Sequence, residues 1–226
     1  MALGQRLRAR RRGPERPPLA GLEPISRTFG FDRGRPIDRF YIENFLAEHA
    51  ADVRGHVLEV AEPTYTRRFG TAVTRSDVLH AAPGNPEATI VGDLVSGDGI
   101  PAAAFDCVVL TQTLSVIYDA RGAVEGVRRA LKPGGVLLVT VPGISQISRE
   151  DRREWGEYWR FTTDSLRTIL ADAFGSANVD VESHGNVFVA AAFLYGLATE
   201  DLSDVELQTR DEDFDFLICG RAVASD

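Results

Sequence analysis

Two short runs of apolar residues constrain the fold of this chain more than any other feature. Residues 105–110 read FDCVVL and residues 136–141 read VLLVTV, with few polar positions in either run. Strands of a parallel sheet are covered on both faces by the helices that connect them, so they are nearly continuous in apolar residues. The two runs therefore predict two strands of a parallel sheet.

Strand-like and helix-like segments alternate along much of the chain. Further apolar runs predict strands over 57–60, 72–76, 88–91, 179–181 and 214–222. Apolar residues at helical spacing predict helices that start near Pro36, after the capping residues Asp119 and Thr162, and over 187–198. This alternation predicts an α/β fold with a doubly wound sheet of seven strands and helices on both faces.

Charge divides the chain into parts. The 226 residues carry a formal net charge of −8, yet residues 1–17 hold six arginines and one glutamate. We expect 1–17 to be a disordered basic tail, 18–54 an N-terminal extension with a helix, and 55–226 the α/β domain. The acidic body argues against nucleic acid as a partner.

The sequence gives no sign of a membrane segment, a secretory signal or a metal site. No run reaches the ~20 apolar residues of a membrane-spanning helix, and the basic N-terminal stretch lacks the apolar core of a secretory signal. Cys107 and Cys219 lie in apolar runs and are predicted to be reduced core residues. The four histidines are scattered, so no metal site is predicted. We expect a cytoplasmic protein.

Three acidic residues are predicted at the ends of consecutive strands. Glu59 lies in the first of these strands, Asp77 follows the second and Asp93 follows the third. In an open α/β sheet, ligands bind beyond the carboxyl ends of the strands. We expect these side chains to share one binding edge, because three acids in register are hard to attribute to turns alone.

The run FDCVVL, followed after 20 residues by LKPGGVLL at 131–138, resembles the class I S-adenosylmethionine-dependent methyltransferases. The resemblance covers residues 55–175. YWRFT at 158–162 is similar, more weakly, to a stretch of bacterial methyltransferases of glycan and natural-product pathways. The resemblance implies a Rossmann-like sheet that is mostly parallel with an antiparallel last strand, and S-adenosyl-L-methionine as cofactor.

The same resemblance implies where the cofactor lies. Glu59 would lie near its amino-acid end, Asp77 would accept hydrogen bonds from both ribose hydroxyls, and Asp93 would bind the adenine amino group. Leu94 would flank the adenine ring, and Gln112 would lie near the reactive methyl group. Carboxylates suit this ligand because it carries a sulfonium and an ammonium group. The predicted cofactor-binding residues are Glu59, Ala61, Glu62, Asp77, Asp93, Leu94, Thr111 and Gln112.

One part of the family pattern is changed in this chain. The family usually has a glycine-rich turn after the first strand, and its three glycine positions are here Ala61, Pro63 and Tyr65. Glycine permits close backbone approach and positive φ, whereas proline removes a donor and fixes φ. The neighbouring Glu62 is expected to bind the ammonium group through its side chain. A NAD-binding site is not predicted, since no GxGxxG follows the first strand.

The segment 142–161 follows the fifth strand on the same edge and is the predicted acceptor site. It holds both tryptophans of the chain, together with several carboxylates. Such side chains suit a sugar or a small polar aromatic molecule, although each could equally serve packing alone. The predicted substrate-binding residues are Tyr118, Trp155, Tyr158 and Trp159, and the predicted catalytic residues are His184 and Glu157.

Three functions stay open from the sequence. The first is methyl transfer to a small molecule or glycan, on an oxygen of a sugar or secondary metabolite. The second is a non-catalytic methyltransferase-like partner in a biosynthetic assembly, and the third is an enzyme that binds the cofactor without transferring its methyl group. A homodimer is also open, because the apolar helices at 36–52 and 187–198 fit either a core or an interface.

Overall fold

The computed structural model describes residues 17–225, which form a seven-stranded sheet flanked by helices. The predicted tail covers 1–17, and residues 1–16 lie outside the described residues. The strands are β1 Arg54–Val60, β2 Ala72–His80, β3 Ile90–Val91, β4 Phe105–Thr111, β5 Leu131–Pro142, β6 Val179–His184 and β7 Leu217–Val223. Their order across the sheet is β3-β2-β1-β4-β5-β7-β6.

The first five strands of the chain run parallel. β1 pairs in parallel with β2 and β4, β2 pairs with β3, and β4 pairs with β5. β7 lies antiparallel between β5 and β6. The prediction of a mostly parallel seven-stranded sheet with an antiparallel last strand is confirmed.

Helices cover both faces of this sheet. They are α1 Ile37–Glu48, α2 Thr64–Phe69, α3 Ala120–Ala130, α4 Arg149–Glu154, α5 Thr163–Phe174, α6 Val187–Leu194 and α7 Asp204–Gln208. Side chains of α3 and α5 form one apolar core against the sheet. Side chains of α1, α2, α6 and α7 form the core on the opposite face, which also buries Cys107 and Cys219 as free thiols. Among residues 17–225, no helix is long and apolar enough to cross a membrane.

The helix starts that the sequence predicts are present. The Asp119 carboxylate accepts a hydrogen bond from the Gly122 amide at 2.9 Å, at the start of α3. The Thr162 hydroxyl accepts one from the Ser165 amide at 3.2 Å, at the start of α5. Both side chains satisfy amides that have no partner within the first helical turn.

Two strands are longer than the sequence predicts. β2 continues to His80 and β6 continues to His184, beyond the predicted ends at 76 and 181. In β2, the polar pair Ser76 and Asp77 interrupts the apolar pattern, but the backbone stays paired with β1 through Leu79. Asp77 therefore lies inside the strand, and His80 ends it.

Helix α3 passes very close to the chain that follows β3. A Cβ on Gly126 would lie 1.7 Å from the carbonyl oxygen of Leu94. No side chain fits at that position unless the helix or the loop moves. The contact therefore fixes the turn that carries Asp93 and Leu94.

Replacing Gly126 by alanine tests this contact. A glycine inside a helix is usually about 1 kcal/mol less favourable than alanine, so Gly126→Ala would stabilise the protein if space were free. We expect instead a loss of about 1–3 kcal/mol in the free energy of unfolding, because the Cβ forces the backbones apart. Urea denaturation measures this loss.

The matched control is Glu125→Ala at an exposed position of the same helix, which is expected to stay within about 0.5 kcal/mol of the parent. A more stable Gly126→Ala protein would contradict the close approach.

Candidate functional site

Strands β2, β1, β4 and β5 are parallel neighbours, so their carboxyl ends share one edge of the sheet. This edge, called the carboxyl edge below, begins after His80, Val60, Thr111 and Pro142. Most of the predicted cofactor residues lie at the strand ends or in the turns that follow them. These residues are Ala61, Glu62, Asp93, Leu94, Thr111 and Gln112.

Glu59 is buried in β1, one residue before the strand ends. Its carboxylate accepts hydrogen bonds from the amides of Tyr65 at 2.9 Å and Thr66 at 2.7 Å, in the first turn of α2. Burial raises the pKa of Glu59, and these two hydrogen bonds oppose the rise. Both oxygens are engaged by the backbone, so the side chain holds the turn between β1 and α2.

The turn after β1 contains a strained alanine. Ala61 has a φ of 71°, in the left-handed region that residues with a Cβ rarely adopt. Its amide donates to the carbonyl oxygen of Leu79 at 2.9 Å, and its own carbonyl accepts a hydrogen bond from the Asn85 side chain at 2.7 Å. Ala61 occupies the first of the three positions at which the family pattern has glycine. These bonds hold it in a conformation that glycine adopts readily.

Pro63 and Tyr65 occupy the other two positions at which the family pattern has glycine. Their side chains lie beside the carboxyl edge. Tyr65 is buried under α1, where its hydroxyl accepts a hydrogen bond from Arg39 at 2.9 Å and its ring stacks on Phe69. Pro63 lines a separate concavity between α2 and β2. Both side chains therefore lie on the α2 side of the turn.

The prediction that Asp77 follows the second strand is wrong. Asp77 lies within β2, three residues or about 10 Å before its end. Its carboxylate is bound by His56 Nε2 at 2.6 Å, the Thr89 hydroxyl at 2.8 Å and Arg75 at 3.0 Å. Burial alone would raise the pKa of Asp77, but these partners outweigh it and lower the pKa. The carboxylate ties β1, β2 and the segment before β3 together.

His80 is the residue at the end of β2, a strand that the apolar pattern predicts to end at Ser76. Its Nδ1 lies 2.7 Å from the carbonyl oxygen of Ala82. The Ala82 amide nitrogen lies 3.3 Å from the same ring nitrogen, so Nδ1 can pair with Ala82 as either donor or acceptor. The imidazole also meets the ring of Trp155 edge-on, with centroids 5.4 Å apart.

Asp93 and Gln112 lie in the turns after β3 and β4. One oxygen of the exposed Asp93 accepts a hydrogen bond from the Val95 amide at 2.8 Å. Gln112 has a φ of 53°, and its side-chain amide donates to the Thr140 hydroxyl at 3.3 Å. Leu94, next to Asp93, is buried. These turns are ordered by their own hydrogen bonds.

A cavity of about 370 Å³ opens at the carboxyl edge beyond β4 and β5. The segment before α1, the start of α1, the turns after β4 and β5, α4, and the α6 and β7 region contribute to its walls. Four phenylalanines line it together with carboxylates and guanidinium groups, and these phenylalanines are Phe29, Phe31, Phe193 and Phe216. The volume and mixed lining fit a small polar molecule with an apolar part.

Asp38 is a carboxylate of this cavity that the sequence analysis missed. It lies in the first turn of α1, and one of its oxygens accepts a hydrogen bond from the Arg39 amide at 2.8 Å. Burial raises the pKa of Asp38, although the Arg39 charge opposes the rise. A carboxylate with a raised pKa beside a cavity is suited to accept a proton.

The predicted substrate-binding aromatic residues do not line this cavity. Tyr118, Tyr158 and Trp159 are 72%, 49% and 41% exposed, and their rings contact one another on the outer surface. The indole N–H of Trp159 donates to the carbonyl oxygen of Tyr118 at 3.1 Å. Trp155 is separate from this group and contacts the end of β2 instead.

The two predicted catalytic residues are placed differently from each other. Glu157 lines the cavity, but its oxygens are bound by Arg160 at 2.6 Å and by the Ser148 amide at 2.8 Å. His184 ends β6 and stacks on the ring of Tyr41, outside the cavity lining. Burial lowers the pKa of His184 despite a nearby carboxylate. Asp38 is therefore better placed than either to exchange a proton with a molecule in the cavity.

The groups at the carboxyl edge fit S-adenosylmethionine. Glu62 and Asp93 present exposed carboxylates, which suit a ligand with an ammonium and a sulfonium group. The imidazole of His80 offers a ring nitrogen for a hydrogen bond with a hydroxyl. Within residues 17–225, no cluster of three or more His, Cys, Asp or Glu side chains could hold a metal ion.

A family model described as a methyltransferase domain matches residues 25–183. The match covers more than half of the chain and includes the turns of the carboxyl edge from β1 to β5. No curated protein sequence matches this chain.

Several solved structures share the fold. The N-methyltransferase NodS from Bradyrhizobium japonicum WM9 is 17% identical with a TM-score of 0.52, over 84% of this chain and 98% of that chain. Its complex with S-adenosyl-L-homocysteine is 15% identical with a TM-score of 0.51, over 86% and 90%. A SAM-dependent methyltransferase from Archaeoglobus fulgidus is 10% identical with a TM-score of 0.52, over 82% and 94%.

The hydrogen bonds of Asp77 predict that a substitution there lowers the stability of the protein and leaves its affinity for the cofactor unchanged. Asp77→Asn is expected to lower the free energy of unfolding at neutral pH by about 1–3 kcal/mol, because the buried carboxylate is a charged acceptor for His56, Thr89 and Arg75 and the amide is not. Since the folded pKa of Asp77 is lowered, its contribution is present above the unfolded pKa and is lost as the pH falls through the folded value. Urea denaturation at several pH values measures both effects.

The control for this variant is Asp172→Asn, which breaks an exposed ion pair with Arg121 and should cost less than about 0.5 kcal/mol. Isothermal titration with S-adenosylhomocysteine should give the same affinity for Asp77→Asn as for the parent, within about twofold. A tenfold loss of affinity without a loss of stability would restore Asp77 as a ribose ligand.

Proposed function

Because the chain belongs to the methyltransferase-domain family and is a class I S-adenosylmethionine-dependent methyltransferase, we propose that it methylates an oxygen of a small polar molecule. The acceptor, a sugar or a secondary metabolite, would bind in the cavity beyond β4 and β5. The observation that carries this proposal is Asp38, a carboxylate of raised pKa on the cavity wall.

S-adenosylmethionine, when bound, supplies a methyl group on a positively charged sulfur and leaves as neutral S-adenosylhomocysteine. An acceptor hydroxyl loses its proton as its oxygen is methylated, and Asp38 takes that proton. Its raised pKa brings it closer to the operating pH, where a base is most effective. The carboxylate must be ionised to act, so activity rises as the pH passes upward through the pKa of Asp38.

The other residues of the edge then have binding tasks. We assign the cofactor to Ala61, Glu62, Asp93, Leu94, Thr111 and Gln112, with Gln112 nearest the acceptor because it also lines the cavity. Positioning of the two reactants supplies most of the rate, up to about 7–11 kcal/mol of the barrier. A homodimer stays a prediction, which light scattering after size-exclusion chromatography would test.

A second candidate acceptor is an amine. Glu150 and Asp151, in the first turn of α4, add negative charge to the cavity wall, and cationic groups also sit well against phenylalanine rings. The fold is shared with an N-methyltransferase, NodS. The chemical shift of the transferred methyl group in the product distinguishes an O-methyl from an N-methyl group.

The acceptor class can be tested without knowing the acceptor. The protein is incubated with a cell extract and S-adenosylmethionine labelled with deuterium in the methyl group, and the extract is separated into small molecules and macromolecules. Label in the small-molecule fraction is expected. Label confined to protein or nucleic acid would contradict the proposal.

Asp38→Asn tests the proposed base. With the small-molecule acceptor identified by labelling, we expect kcat to fall about 10²- to 10⁴-fold, while the affinity for S-adenosylhomocysteine stays within about threefold. Burial disfavours the ionised Asp38, so the variant should be at least as stable as the parent at neutral pH. Steady-state kinetics, calorimetry and thermal melting measure the three effects. Unchanged kcat would rule out Asp38 as the base.

A further inference from the structure

Helix α4 is an unusual element, because none of its six residues is buried. A helix this short is not stable on its own in water. Ser148 caps its first turn, accepting a hydrogen bond from the Asp151 amide at 3.2 Å. At its other end, the half-buried Trp155 rests against His80. The position of α4 therefore depends on its two ends.

The path of this segment crosses the carboxyl edge. It leaves the sheet after β5, and its Trp155 reaches the end of β2. β4 and β1 lie between these two strands. With neighbouring strands spaced by about 4.8 Å, the segment spans about 14 Å across the strand ends. It therefore passes above the turns assigned to the cofactor.

The base of this segment is held by a separate set of bonds. The Arg160 guanidinium donates to the carbonyl oxygen of Gln146 and to the Glu157 carboxylate, both at 2.6 Å. The same carboxylate accepts a hydrogen bond from the Ser148 amide at 2.8 Å. These bonds join the two arms of the loop and fix its base.

A glycine lies next to the tip. Gly156 follows Trp155 directly and has a φ of 88°, in the left-handed region open to glycine. Its amide donates to the carbonyl oxygen of Asp151 at 3.0 Å and ends α4. A Cβ there would lie 2.5 Å from the hydroxyl oxygen of Tyr158, so only glycine turns the chain here between the pinned base and the tryptophan.

We propose that residues 144–156 form a strap that closes over the bound cofactor, with Trp155 as the positioning residue that fastens it to His80. The strap opens at this contact when the cofactor enters or leaves. The inference rests on the cofactor that the family binds and not on the proposed role of Asp38.

The strap also connects the cofactor to the acceptor cavity. Arg149, Glu150 and Asp151, at the start of α4, line the cavity, whereas Trp155 at the other end contacts His80. Closure over the cofactor therefore also sets the wall of the cavity.

The first test uses fluorescence, because Trp155 and Trp159 are the only tryptophans of the chain. Trp159→Phe leaves Trp155 as the single reporter, and Trp155→Phe leaves Trp159 as the matched control. Titration with S-adenosylhomocysteine is expected to change the emission of Trp155 and to leave that of Trp159 nearly unchanged. A response from Trp159 alone would overturn the proposal.

The second test measures the dissociation rate of S-adenosylhomocysteine by surface plasmon resonance. Trp155→Ala should release it roughly fivefold faster than the parent, because the fastening contact is lost, and Trp155→Phe should stay within about twofold. Trp159→Ala should release it at the parent rate. Thermal melting should show no large loss of stability in Trp155→Ala, since Trp155 lies outside both apolar cores.

Two results would overturn the strap. One is an unchanged dissociation rate in Trp155→Ala. The other is tighter binding by this variant, which would mean that Trp155 occupies the place of the nucleoside. If the parent protein does not bind S-adenosylhomocysteine, the cofactor assignment fails and the strap fails with it, whereas inactivity towards small molecules with normal binding affects the proposed acceptor alone.

Discussion

The hydrogen bonds between Glu59 and the first turn of α2 are the interaction on which the site depends. A buried carboxylate is costly unless its oxygens are paired, and here two backbone amides, those of Tyr65 and Thr66, supply the pairing. The bonds fix where the chain turns after β1 although no glycine follows the strand. Ala61 is held in a left-handed conformation in the same turn. The turn after β1 is therefore held at the carboxyl edge by these bonds, with Ala61, Pro63 and Tyr65 at the positions where the family pattern has glycine.

Two candidate binding regions lie along that edge, one on each side of β1 and β4. Towards β2 and β3, the turns with His80 and Asp93 offer polar groups for a nucleoside. Towards β5, a cavity with Asp38 on its wall offers space for a small molecule. The segment with α4 spans both parts, with its first turn at the cavity and Trp155 against His80. The cofactor and acceptor regions are therefore physically joined.

The two central strands β4 and β5 and the helix starts could be predicted from local patterns, whereas the antiparallel last strand was implied by the family resemblance. The apolar runs of β4 and β5 and the helix caps Asp119 and Thr162 depend on neighbours in the sequence. The structure therefore has these elements where the sequence predicts them. The end of β2 could not be predicted in this way, because Asp77 is polar yet buried, and two of its partners come from other segments. These partners, His56 in β1 and Thr89 before β3, come close to Asp77 only when the strands are assembled.

The candidate site shows the same limit. Asp93 and Gln112 were expected directly after predicted strands, and the structure has them in the turns after β3 and β4, while their contacts with the cofactor stay a prediction. Asp38 was not expected, because it precedes the sheet and reaches the cavity through the packing of α1. The exposed ring cluster of Tyr118, Tyr158 and Trp159 had the composition of a binding site but lies outside the cavity. Composition indicates which side chains can bind a ligand, whereas packing decides which ones reach it.

A crystal structure with S-adenosylhomocysteine tests the central claim most directly. We expect density for the nucleoside at the ends of β1 and β2, beside His80 and Asp93 and beneath Trp155, with the sulfur directed towards Gln112 and the cavity. Glu59 should keep both hydrogen bonds to α2. Density for the ligand elsewhere, or a Glu59 that leaves α2 to bind it, would contradict the account.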